Sequence, residues 1–160
     1  MPNVTIEHVI LAPLLILQIF LFPITANLLV NTWVDSRRSI ALQEVASIIG
    51  STIHQIYTSL NHEAISAGTL TQQLIIPQLI ENYPYVVTAT LHEVSESASN
   101  SSKILDLHLK LKDVTSSVNA TVLLNENVYW QDSSFISTFS KAYLKAEKFT
   151  NGTIILSFGG

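Results

Sequence analysis

From residue 9 to residue 30 the sequence VILAPLLILQIFLFPITANLLV carries no charge, and only Gln18, Thr25 and Asn27 interrupt it with polar side chains. Crossing the hydrocarbon of a bilayer takes about 20 apolar residues in a helix, so this run is long enough to span. Trp33, just beyond it, has the character of an interfacial anchor. The run does not follow the pattern of a secretory signal peptide, because no Lys or Arg precedes it, it is too long, and no small-residue cleavage site closes it. Cleavage after it is not expected. Pro13 and Pro23 each remove a backbone donor, which a membrane or a packed bundle of helices tolerates. Within a monomer in water the segment has nowhere to go; lipid or other copies of the chain must cover it.

After Asp35 the pattern changes without a break. Leu42, Val45, Ile49, Ile53, Ile56 and Leu60 recur at three- and four-residue spacings, while Gln43, Glu44, Ser47, Ser51, Gln55 and Ser59 fall on the opposite side. No proline stands between Pro23 and Pro77, so one helix is expected from about Ile6 to about Ile65, with Gly50 a mild weak point and Ala67-Gly68 a stop. Beyond Gly68 the composition turns to Thr, Val, Tyr, Ile and Leu with period-two alternation. The clearest strand is 103–112, KILDLHLKLK, with Leu105, Leu107, Leu109 and Leu111 on a core face and Asp106, His108 and Lys110 toward solvent.

Segment 85–94 reads as a strand before it, and 114–124 as one after it, with Val114, Val118, Ala120, Val122 and Leu124 on one side. Asn151-Gly152 between two apolar runs predicts a tight hairpin with positive φ at both central residues. Pro77 and Pro84 suggest strand starts or edges, and 132–140 reads as a short helix or a loop with Phe135 and Phe139 turned inward. The fold class is therefore α+β: a long N-terminal helix, hydrophobic then amphipathic, packed on a C-terminal antiparallel β-sheet domain. The boundaries are 1–35 for the hydrophobic segment, 36–67 for its amphipathic continuation and 68–160 for the β-domain, read as a meander of about five to seven strands.

Charge and chemistry narrow the function. Only 12% of the 160 residues are charged, about half the usual share, mean hydropathy is +0.36, and the net charge is −4 with no basic run longer than Arg37-Arg38. That leaves no electrostatic footprint for nucleic acid. There is no cysteine, hence no disulfide, thiolate nucleophile or cysteine-based metal site. The five histidines, His8, His54, His62, His92 and His108, show no metal-binding spacing with a third ligand; His92 and His108 read as solvent-facing strand residues. No nucleophile elbow, phosphate loop or dinucleotide fingerprint is present. Neither an enzyme nor a cofactor or metal site is expected.

Four Asn-x-Ser/Thr triplets stand at Asn3, Asn100, Asn119 and Asn151. The last three fall in a polar loop, on the outward face of a strand and at a hairpin tip, where a glycan could sit. They point outside the cell, whereas Arg37-Arg38 after the apolar run points the other way by the positive-inside rule. A basic leader, removed in the mature chain, would resolve the conflict.

A helix apolar in its first half, EHVILAPLLILQIFLFPITANLLV, then amphipathic, followed by a cysteine-free, Ser/Thr-rich, sequon-bearing β-domain closing on NGTIILSFG, resembles the archaeal type IV pilin and archaellin superfamily. Glu7, just ahead of the apolar run, is similar to the acidic residue near the start of many bacterial type IV pilins. The resemblance implies a structural subunit of an extracellular filament used for adhesion or surface attachment. Leu11, Leu14, Leu17, Phe20, Ile24 and Leu28 would then lie in the filament core. Identical subunits would be the partners, the membrane would hold the chain before assembly, and the β-domain could meet a surface ligand. No basic leader or glycine-containing processing site precedes Glu7, which implies that a leader has been removed or that the chain takes another route. The alternative is a permanently anchored surface-binding module with an extracellular β-domain, similar to the stator-like protein of the archaellum.

Overall fold

A computed structural model describes residues 3–94, 102–138 and 141–159, the side chains of 3–9 and 94 excepted. The architecture is α+β. One helix, α1 (Asn3–Leu60), is followed by eight strands: β1 (Gly68–Gln73), β2 (Tyr85–Val94), β3 (Ser102–Leu111), β4 (Ser117–Asn125), β5 (Val128–Trp130), β6 (Ser134–Ile136), β7 (Tyr143–Lys148) and β8 (Ile154–Gly159). The chain divides into two compact units, Met1–Arg37 and Arg38–Gly160.

In the second unit the helical stripe behaves as its spacing predicts. Leu42, Val45, Ile49, Ile53, Ile56 and Leu60 are buried, and the six polar positions opposite them are exposed. The helix ends about five residues before the expected Ile65. Past Asn61, whose N–H still reaches the Tyr57 carbonyl at 2.8 Å, competing partners take over the backbone. The His62 carbonyl accepts from Ile65 N–H at 3.1 Å and from Lys148 Nζ at 3.1 Å, and His62 Nδ1 accepts from Ala64 N–H at 3.2 Å. These close a turn in place of another helical one.

The strands form two four-stranded sheets, ordered β1-β7-β8-β5 and β4-β3-β2-β6, not the single meander expected from the sequence. Only β2, β3 and β4 run on as a meander, with Leu107 opposite Ala89 on one side and Ala120 on the other. Leu105, Leu107, Leu109 and Leu111 are fully buried, while His108 and Lys110 are exposed and Asp106 is half-buried. β4 starts at Ser117 and not at Val114, because residues 112–116 make the turn, with Asp113 at φ 65°.

What breaks the meander is the behaviour of the two shortest strands. β5 lies parallel to β8, stitched by Ile154 N–H to the Asn127 carbonyl and Gln131 N–H to the Leu156 carbonyl, both at 2.9 Å. β6 returns to pair with β2, placing Phe135 inward. Segment 132–140, read as helix or loop, thus holds a strand; Phe139 lies outside the described residues. Phe158 of β8 meets the rings of Phe135 and Trp130 edge-on, at 5.0 and 4.8 Å, which joins the sheets through a shared aromatic cluster.

The β7–β8 hairpin forms where Asn151-Gly152 predicts it, but through a different turn. Gly152 alone has positive φ, 85°, and its N–H donates to the Phe149 carbonyl while Phe149 N–H donates to Thr153, each at 2.9 Å. This is a three-residue loop ending on a left-handed glycine, not a two-residue turn with two left-handed residues. Pro84 immediately precedes β2, as a strand start should.

Candidate functional site

The first unit is an apolar surface without a cover of its own. Leu11, Leu14, Leu17, Phe20, Ile24 and Leu28 are all exposed, but so are Ile10, Leu15, Ile16, Ile19, Leu21, Phe22 and Leu29, with Phe22 at 76%. Apolar groups surround the helix on every side, so the six positions expected to line a filament core have no geometric privilege over their neighbours. By length and composition α1 is long and apolar enough to cross a membrane.

The polar breaks in this run are less demanding than their residue types suggest. Thr25 Oγ1 lies 3.0 Å from both the Leu21 and the Phe22 carbonyl oxygens and donates to them. Thr32 Oγ1 donates to the Leu28 carbonyl at 2.9 Å, and Asn31 Nδ2 donates to Asn27 Oδ1 at 3.3 Å. Pro23 leaves the Ile19 carbonyl without its helical donor, and a shallow apolar groove with Ile19, Phe22 and Pro23 along it marks that place. At the end of the run the Arg37 guanidinium sits 4.8 Å over the Trp33 ring, a cation–π contact that suits a residue pair at a membrane surface.

In the second unit the sequons fall as follows. Asn119 is exposed on β4, opposite His108. Asn151 is exposed at the hairpin tip, where its Oδ1 accepts from Thr153 N–H at 3.0 Å. Asn100 lies outside the described residues, as does the side chain of Asn3, whose backbone begins α1. Both Asn119 and Asn151 are exposed to solvent, the condition for attaching a glycan.

His92 and His108 are exposed on the outer face of their sheet, with His92 Nε2 at 3.5 Å from Asp106 Oδ2. Among the described residues no three His, Cys, Asp or Glu side chains converge on a metal position.

The alternation that buries Leu105 also turns Lys103 inward. Lys103 is 5% exposed; its Nζ donates to the Val128 carbonyl at 3.0 Å, stands 3.6 Å from Glu93 Oε1 and lies 4.1 Å over the Tyr129 ring. The ammonium is therefore satisfied on several sides, as a buried charge must be. It ties β3 to β5, and so one sheet to the other, rather than facing a cavity. Burial also pushes the Tyr85 and Tyr57 phenols up from their ordinary range. Tyr85 Oη donates to the Pro77 carbonyl at 2.6 Å. No known protein family, curated protein or solved structure matches the chain.

Proposed function

We propose that this chain is a structural subunit of an extracellular, archaeal type IV pilus-like filament, polymerising through residues 9–30 and serving adhesion or surface attachment. The observation that carries the reading is the apolar run of the first unit, a helical segment apolar around its whole circumference and exposed from residue 10 to residue 30. A bundle of identical copies would bury that surface continuously. With roughly 1,500 Å² removed from water per helix at about 25 cal/mol per Å², the gain is tens of kcal/mol before entropic costs. The β-domain supplies the rest of such a subunit: a folded outer body with its own core and with sequons Asn119 and Asn151 turned to solvent. No catalytic role and no cofactor belong to this reading.

A second reading rests on the hydroxyl and carboxamide bonds inside the apolar run. With the Thr25 and Thr32 hydroxyls bonded to carbonyls of their own helix and Asn31 Nδ2 donating to Asn27 Oδ1, a single copy costs less in lipid than the residue types imply. It is a permanently anchored surface module in the style of the archaellum stator. Electron microscopy of sheared surface material, probed with antibody to the β-domain, separates the two. Labelled filaments are the expected result; a chain recovered only from detergent-extracted membranes replaces the filament with the anchor.

A further inference from the structure

Four strands end the two sheets, and they are of two kinds. β5 and β6, with three residues each, are too short to template another strand. β1, with six residues, and β4, with nine, are long, and neither contains a charged residue or a proline. Natural edges are usually blunted by lysine, proline, a bulge or brevity, and these two are not.

The ladders show which backbone groups the edges offer. Leu111 N–H donates to the Ser116 carbonyl at 3.1 Å, in the register of the β3–β4 pair. Antiparallel bonds alternate along a strand, so Val118, Ala120, Val122 and Leu124 bond to β3. The N–H and C=O groups of Ser117, Asn119, Thr121, Leu123 and Asn125 then point away from the sheet. By the same reasoning, Leu74 N–H on the Ala142 carbonyl at 3.0 Å leaves Thr69, Thr71 and Gln73 as the outward row of β1. Apolar side chains stand uncovered at both edges, Leu70 at 38% and Leu123 at 67% exposure. Beside β4 runs an open groove whose far wall is helical, with the small residues Ser47 and Ser51 along it.

We infer that β1 of one copy adds to β4 of a second copy of this chain, extending the β4-β3-β2-β6 sheet by one strand. Each copy brings one such donor and one such acceptor, and with no charge on either edge nothing repels the approach. Because the joined surfaces differ, the contact leaves a free edge at each end and propagates, whereas β4 against β4 would stop at a dimer. A six-residue ladder is about 20 Å long and falls well short of the roughly 1,000 Å² of a free-standing interface. It is too small to capture a partner from dilute solution, and effective between chains already concentrated by their apolar helices. The inference thus deepens the filament reading and rests on it only for that concentration.

The absence of cysteine makes the test clean. Thr71→Cys and Leu123→Cys are introduced singly and together into the full chain, and isolated membranes and surface preparations, in which the chains stay concentrated, are treated with a short bis-maleimide that tolerates either strand direction. The pair is expected to give a ladder of covalent dimers, trimers and higher species, and each single variant essentially none. Adding Thr121→Pro, which deletes an outward donor while leaving the β3–β4 bonds in place, should reduce the ladder at least tenfold relative to Thr121→Ala, which removes the Asn119 sequon equally but keeps the donor, without lowering the melting temperature appreciably. A dimer from Leu123→Cys alone overturns the inference in favour of β4–β4 pairing, and no ladder from the pair overturns it outright. Filaments without a ladder would refute the strand contact alone; a ladder without filaments would refute the filament reading alone.

Discussion

Gly50 of α1 lies against Val122 of β4: a Cβ added to the glycine would come within 3.3 Å of Val122 Cγ2 and 3.9 Å of Leu107 Cδ1. The glycine that reads in the sequence as a weak point in a helix is a point of close approach between the helix and the sheet. A Cβ there requires the Val122 side chain to give by a few tenths of an ångström, and a larger side chain requires more.

Gly50→Leu should therefore destabilise the β-domain by about 1–3 kcal/mol through overpacking, although leucine is the better helix former by up to about 1 kcal/mol. Thermal unfolding followed by near-UV circular dichroism measures the balance. A melting temperature equal to or above that of the parent would mean that the helix is free to move away from β4.

The buried leucine row gives a contrast within a single strand. Leu107 is fully buried and His108, its neighbour, is exposed. Leu107→Asp places an unpaired carboxylate in the core and should cost more than about 4 kcal/mol, while His108→Asp should stay within about 0.5 kcal/mol of the parent. Similar denaturation midpoints for the two variants would reverse the assignment of faces.

Tyr85 supplies a pH dependence with a definite sign. Its phenol is fully buried, donates to the Pro77 carbonyl and is held above its ordinary value by burial. In the unfolded chain the phenol titrates near pH 10. The folded value is the higher one, so the stability linked to Tyr85 is fully present below about pH 10 and is lost as pH rises from there toward the folded value. Urea midpoints between pH 8 and pH 11.5 should fall more steeply for the parent than for Tyr85→Phe. That variant should be weaker at pH 8 by about 1 kcal/mol for its missing hydrogen bond. Parallel curves would show that Tyr85 ionises as freely in the fold as outside it.

The parts of the fold legible in the sequence are those written in long periodic runs. The stripe from Leu42 to Leu60 spans several turns and the leucines of β3 alternate four times, so each period is unambiguous. β5 and β6 are too short to show any period, and their partners β8 and β2 lie far away in the chain. The division into two sheets is consequently a product of long-range pairing that no local pattern records. Gly152 marks the hairpin, but its turn type depends on where the ladder begins, at Phe149 and Thr153. For the apolar helix the sequence shows what must be covered and not which side, because Leu17 and its neighbour Ile16 are alike in chemistry and in exposure.

The central claim is that copies of residues 9–30 cover one another in the working state, and Leu17→Arg tests it most directly. A charge at that position in every subunit would be buried without a partner in a bundle, whereas in a bilayer it adds about 3 kcal/mol to a segment otherwise strongly favoured there. The measurement is electron microscopy of surface material from cells making the parent or the variant, with the membrane fraction of each checked by immunoblot for equal amounts of chain. The account predicts filaments from the parent and none from Leu17→Arg at equal membrane content. Filaments of normal number and length from the variant would contradict it.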